Sequence, residues 1–95
     1  MSLEFDDEAL LEAEDARDHY AAIEPFLGDA FAKAFDQAIE SIVSTPMMWS
    51  PYTGRTRRYV MTRFPYSVIY RVRGDVVRVL ALTHQSRRPG YWRRR

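Results

Sequence analysis

Three β-strands and a basic, aromatic tail are predicted by residues 57–92, RRYVMTRFPYSVIYRVRGDVVRVLALTHQSRRPGYW. We place the strands at residues 57–62, 66–73 and 76–83. Gly74 and Asp75 between the last two strands form a two-residue hairpin turn, with glycine at the first central position as a type II′ turn requires. Residues 57–84 are therefore expected to form a three-stranded antiparallel meander.

The hairpin turn also predicts which residues face each other. The expected cross-strand pairs are Val72 with Val77, Tyr70 with Val79, Val68 with Ala81, and Tyr66 with Thr83. This apolar face is expected to pack on helices.

On the opposite face Arg71 lies across from Arg78, with Arg73 diagonal to it and His84 at the far end. Like charges directly opposed destabilise a strand pair, so we expect a bound anion, a carboxylate from elsewhere in the chain, or guanidinium groups that fan into water.

Residues 1–56 are expected to support these strands. Residues 2–5 are predicted to form a short strand, and Asp6 or Asp7 is predicted to cap the helix that follows. Residues 6–45 are predicted to form a tight helix hairpin in which Pro25 begins the second helix. Residues 46–56 are rich in proline, serine and threonine, which predicts a loop. Its apolar Met47, Met48, Trp49 and Tyr52 are expected to cover an edge of the core or, alternatively, to bind a partner.

The composition is that of one domain of 95 residues without cysteine, which excludes disulfides and thiolate chemistry. No apolar run approaches the ~20 residues of a membrane span, so we expect a cytoplasmic protein. Residues 1–45 contain twelve acids against Arg17 and Lys33, a net charge of −10, whereas residues 46–95 contain Asp75 against twelve arginines, a net charge of +11. This asymmetry indicates an anionic partner for the second half, or mutual neutralisation of the two halves.

The basic tail, residues 85–95, and His84 directly before it contain the best candidates for chemistry. His84, Arg87, Arg88, Tyr91 and Trp92 cluster in sequence, and such groups suit a phosphodiester: arginine binds the phosphate, aromatic rings stack a base, and His or Tyr moves a proton. The alternatives are that Trp92 packs under the sheet and that residues 93–95 form a solvated extension.

The sequence resembles the RelE/ParE superfamily of bacterial type II toxins over essentially its full length. The resemblance is carried by LGDAFAKAFDQAIESIVSTP (27–46), RFPYSVIYRV (63–72) and VVRVLALTHQSRRPGYW (76–92). It implies an α+β fold in which an N-terminal helix hairpin packs on one face of a small, mainly antiparallel twisted sheet, made of a short N-terminal strand and three C-terminal strands. It also implies a cognate antitoxin protein.

Two branches of the superfamily imply different targets. The RNA-cleaving branch cuts messenger RNA on the ribosome without a metal. Its pattern places Arg58, Arg87 and Tyr91 at catalytic positions, but Ser67 stands where an arginine commonly follows the tyrosine of the middle strand. The FPY-x-V-x-Y form is more similar to the ParE-type, plasmid-stabilisation branch, some members of which poison DNA gyrase.

We therefore predict a ParE-like toxin that inhibits growth by binding a macromolecule, with DNA gyrase as the expected target, and that an antitoxin neutralises. The alternatives are a ribosome-dependent mRNA endonuclease and an inactive homologue that retains only antitoxin binding. In the endonuclease alternative the catalytic residues are Arg58, His84, Arg87 and Tyr91. The expected binding residues are Arg63, Arg71, Arg73, Arg78, Arg88 and Trp92. No metal, small-molecule cofactor or membrane is expected to take part, and the antitoxin is expected to cover the arginine face.

Overall fold

The computed structural model describes residues 1–94, with only the backbone of Arg93 and Arg94. Its elements are β1 (Ser2–Phe5), α1 (Asp7–Ile23), α2 (Pro25–Ser44), β2 (Ser50–Pro51), β3 (Arg57–Val60), β4 (Tyr66–Arg73), β5 (Val76–His84) and a 3-10 helix, η1 (Tyr91–Arg94). The strands form one sheet in the order β1-β5-β4-β3-β2, with β1 parallel to β5 and the other neighbours antiparallel. The predicted fold class is confirmed. The sheet has one strand more than predicted, because residues 50–51 of the expected loop pair with β3.

The two helices form the predicted tight pair. Only Glu24 separates α1 from α2, and Pro25 begins α2 as predicted. A Cβ atom on Gly28 would lie 2.7 Å from the Cβ of Ala21, so glycine is needed for the close approach of the two helices. Neither helix is long and apolar enough to cross a membrane.

The main core lies between the helices and one side of the sheet, which we call the inner face. Phe31 and Ile42 of α2 meet Val68, Tyr70 and Val79 there, all of them fully or almost fully buried. The other side of the sheet, the outer face, has a small second cluster of Ile69, Ala81 and Trp92.

The loop before β3 covers an edge of the core, as one of the two alternatives predicted. Tyr70 donates a hydrogen bond of 2.6 Å to the carbonyl oxygen of Pro46, and Arg57 donates one of 2.7 Å to that of Trp49. The Trp49 ring packs edge-on against Tyr59 with 4.6 Å between centroids. In contrast, 62% of Met47 and 71% of Met48 are exposed.

The predicted register of the β4–β5 hairpin is correct near the turn and wrong beyond it. Tyr70 pairs with Val79 as predicted, but Ile69 pairs with Ala81, so Leu80 is an extra residue in β5. Such a bulge exchanges the faces of the residues that follow it. Leu82, not Ala81, is therefore the inner-face partner of Val68.

The bulge also corrects the expected position of His84. His84 pairs with Tyr66 instead of lying at the far end of the arginine face, and the two rings meet edge-on with 5.1 Å between centroids. Tyr66 belongs to the inner face, where it packs against Phe31. His84 thus lies at the inner-face end of β5, and Thr83, predicted to pair with Tyr66, pairs with Ser67.

The chain after β5 returns to the sheet. Trp92 packs under the sheet against Ile69 and Ala81, as one of the alternatives for this residue predicted. The hydroxyl of Tyr91 donates a hydrogen bond to one carboxylate oxygen of Glu12 on α1, whose other oxygen accepts the backbone N–H of Leu82 at 3.2 Å. The predicted solvated extension, residues 93–95, lies outside the described side chains.

Candidate functional site

Arginine side chains cross the outer face in rows that follow the strand pairing. Glu4, Arg78 and Arg71 occupy paired positions on β1, β5 and β4. Arg58 lies on β3, across from Ile69 of β4. The predicted opposition of Arg71 and Arg78 is confirmed.

Arg78 is neutralised by carboxylates from the acidic half of the chain. Its Nε and one terminal nitrogen each lie 2.6 Å from Oδ1 of Asp6, and its other terminal nitrogen lies 2.9 Å from Oε1 of Glu4. Hydrogen bonds to Glu4 and Asp6 raise the pKa of Arg78 above its usual value. Asp6 occupies the N-cap position of α1 but makes no side-chain capping bond, because its carboxylate is directed to Arg78.

Arg71 is left with its charge uncompensated. Within residues 1–94 it has neither an ion pair nor a side-chain hydrogen bond, although it is half-buried. Both carboxylates lie on the β1 side of Arg78, away from β4. The cross-strand repulsion is therefore relieved at one arginine of the pair only.

Two open clefts meet at this arginine pair, and we call them the arginine clefts. Their volumes are about 470 and 450 Å³, and both are lined by Asp6, Arg71 and Arg78. The larger one extends to Arg55 in the loop before β3, and the smaller one to Arg73 at the end of β4. An anion in either cleft would meet more guanidinium groups than carboxylates.

A third cleft, the terminal cleft, has a volume of about 410 Å³ and contains three of the four predicted catalytic residues. Arg58, His84 and Arg87 line it, together with Ser67 of the middle strand. The cations could bind a phosphate there. Tyr91, the fourth predicted catalytic residue, is not among the residues that line this cleft.

Arg58 packs on an aromatic stack. Its guanidinium carbon lies 4.7 Å from the centroid of the Tyr52 ring, and Tyr52 in turn stacks on Trp92 with 5.9 Å between centroids. Nε of Arg58 is enclosed without a hydrogen-bond partner in the described residues. Both aromatic rings are therefore already engaged within the protein.

The two candidate proton-transfer groups both make hydrogen bonds within the protein. Nδ1 of His84 accepts the backbone N–H of Ser86 at 3.0 Å and lies 2.9 Å from its hydroxyl oxygen. The Tyr91 hydroxyl donates to Glu12, as described above.

The remaining predicted binding residues are dispersed. Arg63 lies in the β3–β4 turn, with its guanidinium carbon 5.8 Å from the centroid of the Phe64 ring. The exposed Arg88 lines neither the arginine clefts nor the terminal cleft. Trp92 is only 6% exposed, so little of its ring can contact a ligand. Arg87 extends over the Tyr91 ring at 5.0 Å from its centroid.

Two residues that bear on these sites were not predicted from the sequence. Arg55 reaches the larger arginine cleft from the turn between β2 and β3, where Gly54 adopts a φ of 63°. A glycine in a polar loop was the available signal. Glu12 was not among the predicted site residues, and nothing local to the sequence indicated that it would bind Tyr91.

Comparison with protein families supports this architecture. The family described as "ParE toxin of type II toxin-antitoxin system, parDE" matches residues 3–89, nearly the whole chain. The chain belongs to the ParE toxin family. Membership of this family implies a cognate antitoxin as a partner, and it confirms the predicted resemblance.

A solved structure agrees with the fold of this ParE-family chain. The structure described as "Chromosomal ParDE TA system from P. aeruginosa" superimposes with a TM-score of 0.69 at 22% sequence identity, over 88% of this chain and 95% of that chain. At this identity the likeness concerns the fold. No curated protein matches the sequence.

Proposed function

We propose that this ParE-family chain is a toxin that inhibits growth by binding DNA gyrase, without a hydrolytic reaction of its own. The observation that carries the proposal is the composition of the terminal cleft. Ser67 stands on the middle strand where the RNA-cleaving branch commonly has an arginine, and the Tyr91 hydroxyl is bound to Glu12 outside the cleft. A group that stabilises charge in a transition state is worth about 3 kcal/mol, so its loss favours binding over cleavage.

The test is a gyrase assay with purified protein, relaxed plasmid and ATP. We expect loss of supercoiling, together with linear plasmid after detergent and protease treatment, because trapped gyrase holds cleaved DNA. A parallel reconstituted translation reaction reports the alternative through the 5′ ends of the messenger RNA. Undisturbed supercoiling would refute the gyrase proposal, and undisturbed translation as well would point to an inactive homologue.

The endonuclease remains the second candidate because Arg58, His84 and Arg87 share one cleft. In that case ribosome-dependent cuts within codons should appear in the translation reaction. Arg87→Ala and Tyr91→Phe should then abolish toxicity in cells while the proteins remain folded. Unchanged toxicity in both variants would exclude cleavage by these groups.

We further propose that the antitoxin neutralises the toxin through an apolar interface on the helices and the loop before β3. The large apolar side chains there are 44–71% exposed; they are Leu10, Leu11, Ile23, Phe26, Met47 and Met48. Burial of apolar surface is the dominant favourable term in most protein–protein association. The affinity of the antitoxin should then change little between 0.1 and 0.5 M salt. A steep fall with salt would instead support the sequence-based expectation that the antitoxin covers the arginine face.

A further inference from the structure

The outer face contains a cationic site that the fold only partly neutralises. The two arginine clefts together present Arg55, Arg71, Arg73 and Arg78 against the carboxylates of Glu4 and Asp6, a net charge of +2. Both carboxylates are committed to Arg78. The uncompensated charge is therefore on the β4 side, at Arg71 and its two flanking arginines.

We propose that the arginine clefts bind the phosphate groups of a nucleic-acid backbone. The inference rests on the proposed function for its biological setting, since gyrase acts on DNA. Arg71 lies in the wall common to both clefts, so it can contact a phosphate in either one, while Arg55 and Arg73 extend the positive surface to each side. Guanidinium groups bind phosphate oxygens with two parallel N–H bonds, which suits a half-buried arginine without another partner.

The polarity of the clefts favours a backbone phosphate over an acidic peptide. None of the large exposed apolar side chains lines either cleft. The apolar residues that do line them are buried or half-buried: Val76 and Leu80 in β5, and Trp92 in η1. Protein partners are held chiefly by anchors in fully desolvated pockets, aromatic rings prominent among them, whereas the affinity for a phosphate backbone comes largely from the charges of lysine and arginine.

The same geometry predicts binding that does not depend on base sequence. The aromatic rings nearest the larger cleft are Trp92, which is buried, and Tyr52, which lies between Trp92 and Arg58. Neither ring is free to stack on a base. Contacts to phosphate position a nucleic acid without reading its sequence.

The test is fluorescence anisotropy of a labelled DNA duplex and of an RNA duplex of the same length, titrated with the purified protein over a range of salt concentrations. If two or three phosphates are bound, the logarithm of affinity should fall with the logarithm of salt with a slope of about −2 to −3. Arg71→Ala should weaken binding about tenfold and reduce that slope by about 1. The duplex that binds more tightly identifies the source of the phosphates.

Two further variants and a competitor make the test decisive. Arg73→Ala, on an exposed side chain at the end of β4, should also weaken binding and does not put the fold at risk. Arg17→Ala removes an equal charge from α1, so it should leave the affinity unchanged and serves as the matched control. A glutamate peptide of equal charge should compete far more weakly than unlabelled duplex.

Three results would each overturn the inference. They are no binding at 50 mM salt, wild-type affinity in both Arg71→Ala and Arg73→Ala, and equal competition by the glutamate peptide, which would assign the clefts to an acidic protein. Because the measurement contains neither gyrase nor ribosomes, its outcome is separate from that of the proposed function. Nucleic-acid binding without gyrase inhibition, or the reverse, would be recognised directly.

Discussion

Tyr91→Phe separates a structural role of this residue from a catalytic one. The substitution removes only the hydroxyl that donates to Glu12 and so releases the link between η1 and α1. A hydrogen bond to a charged group contributes about 1.5–3 kcal/mol. Both side chains are half-exposed, and the carboxylate keeps its bond from the Leu82 backbone, so we expect the lower end of that range.

A loss of about 1.5 kcal/mol should lower the Tm by about 6–12 °C, since each kcal/mol shifts a domain of this size by about 4–8 °C. Thermal unfolding followed by circular dichroism measures this shift. Tyr59→Phe is the matched control, because the Tyr59 hydroxyl makes no hydrogen bond within residues 1–94, and it should leave the Tm nearly unchanged.

The functional result should follow the structural one. At a temperature where the variant is folded, Tyr91→Phe should retain wild-type toxicity, because its hydroxyl does not line the terminal cleft. An unchanged Tm would refute the bond to Glu12 as a stabilising contact. Loss of toxicity at an unchanged Tm would refute the whole argument and restore Tyr91 as a catalytic group.

Two further predictions concern the scaffold. Gly28→Ala should destabilise the protein by about 1–2 kcal/mol, because overpacking against Ala21 costs more than the roughly 1 kcal/mol that alanine adds to helix propensity. Urea unfolding should show this loss of stability and its recovery in the double variant with Ala21→Gly. If the losses of stability in the two single variants simply add in the double variant, the contact between the two residues is contradicted. Burial raises the pKa of the Tyr70 hydroxyl, an effect that Arg57 opposes. As the pH rises, the unfolded chain therefore loses the hydroxyl proton before the folded chain does. The contribution of Tyr70 to the free energy of unfolding is complete below pH 10 and is lost as the pH rises through the higher pKa of the folded state. Unfolding free energies between pH 9 and 11 should fall less steeply in Tyr70→Phe, and an identical slope would contradict the shift.

The fold was predictable because its signals are local. Gly74 and Asp75 defined the hairpin turn, and Pro25 marked where the second helix begins. The bulge at Leu80 was missed because the prediction extended strict alternation from Val79 to Ala81. A signal was present: Leu82 is larger than Ala81, and a shift of one residue buries it in the main core. That single residue moved His84 from the arginine face to the inner face.

The candidate sites were less predictable because they depend on contacts between distant parts of the chain. The sequence placed Arg71 opposite Arg78, but whether a carboxylate would neutralise them depended on β1 pairing in parallel with β5. That pairing brings Glu4 beside Arg78, and Asp6, which directly follows β1, reaches Arg78 as well. Strand order is a property of the whole fold, so the local pattern could only leave the alternatives open.

Folding separates the acidic first half and the basic second half of the chain in space more than it neutralises their charges. The acidic helices cover the inner face of the sheet, while Arg58, Arg71, Arg73 and Arg78 lie on the outer face. Arg57 of β3 pairs with Tyr70 and lies on the inner side. Among the described residues, the ion pairs that join the two halves are those of Arg78. They form at the β1 edge of the sheet, where Glu4 and Asp6 reach the outer face. The field of the molecule is therefore directional, and it should orient a polyanion toward Arg71 before contact is made. An antitoxin bound through the helices would leave this face open, which is why the salt dependence of the two complexes should differ.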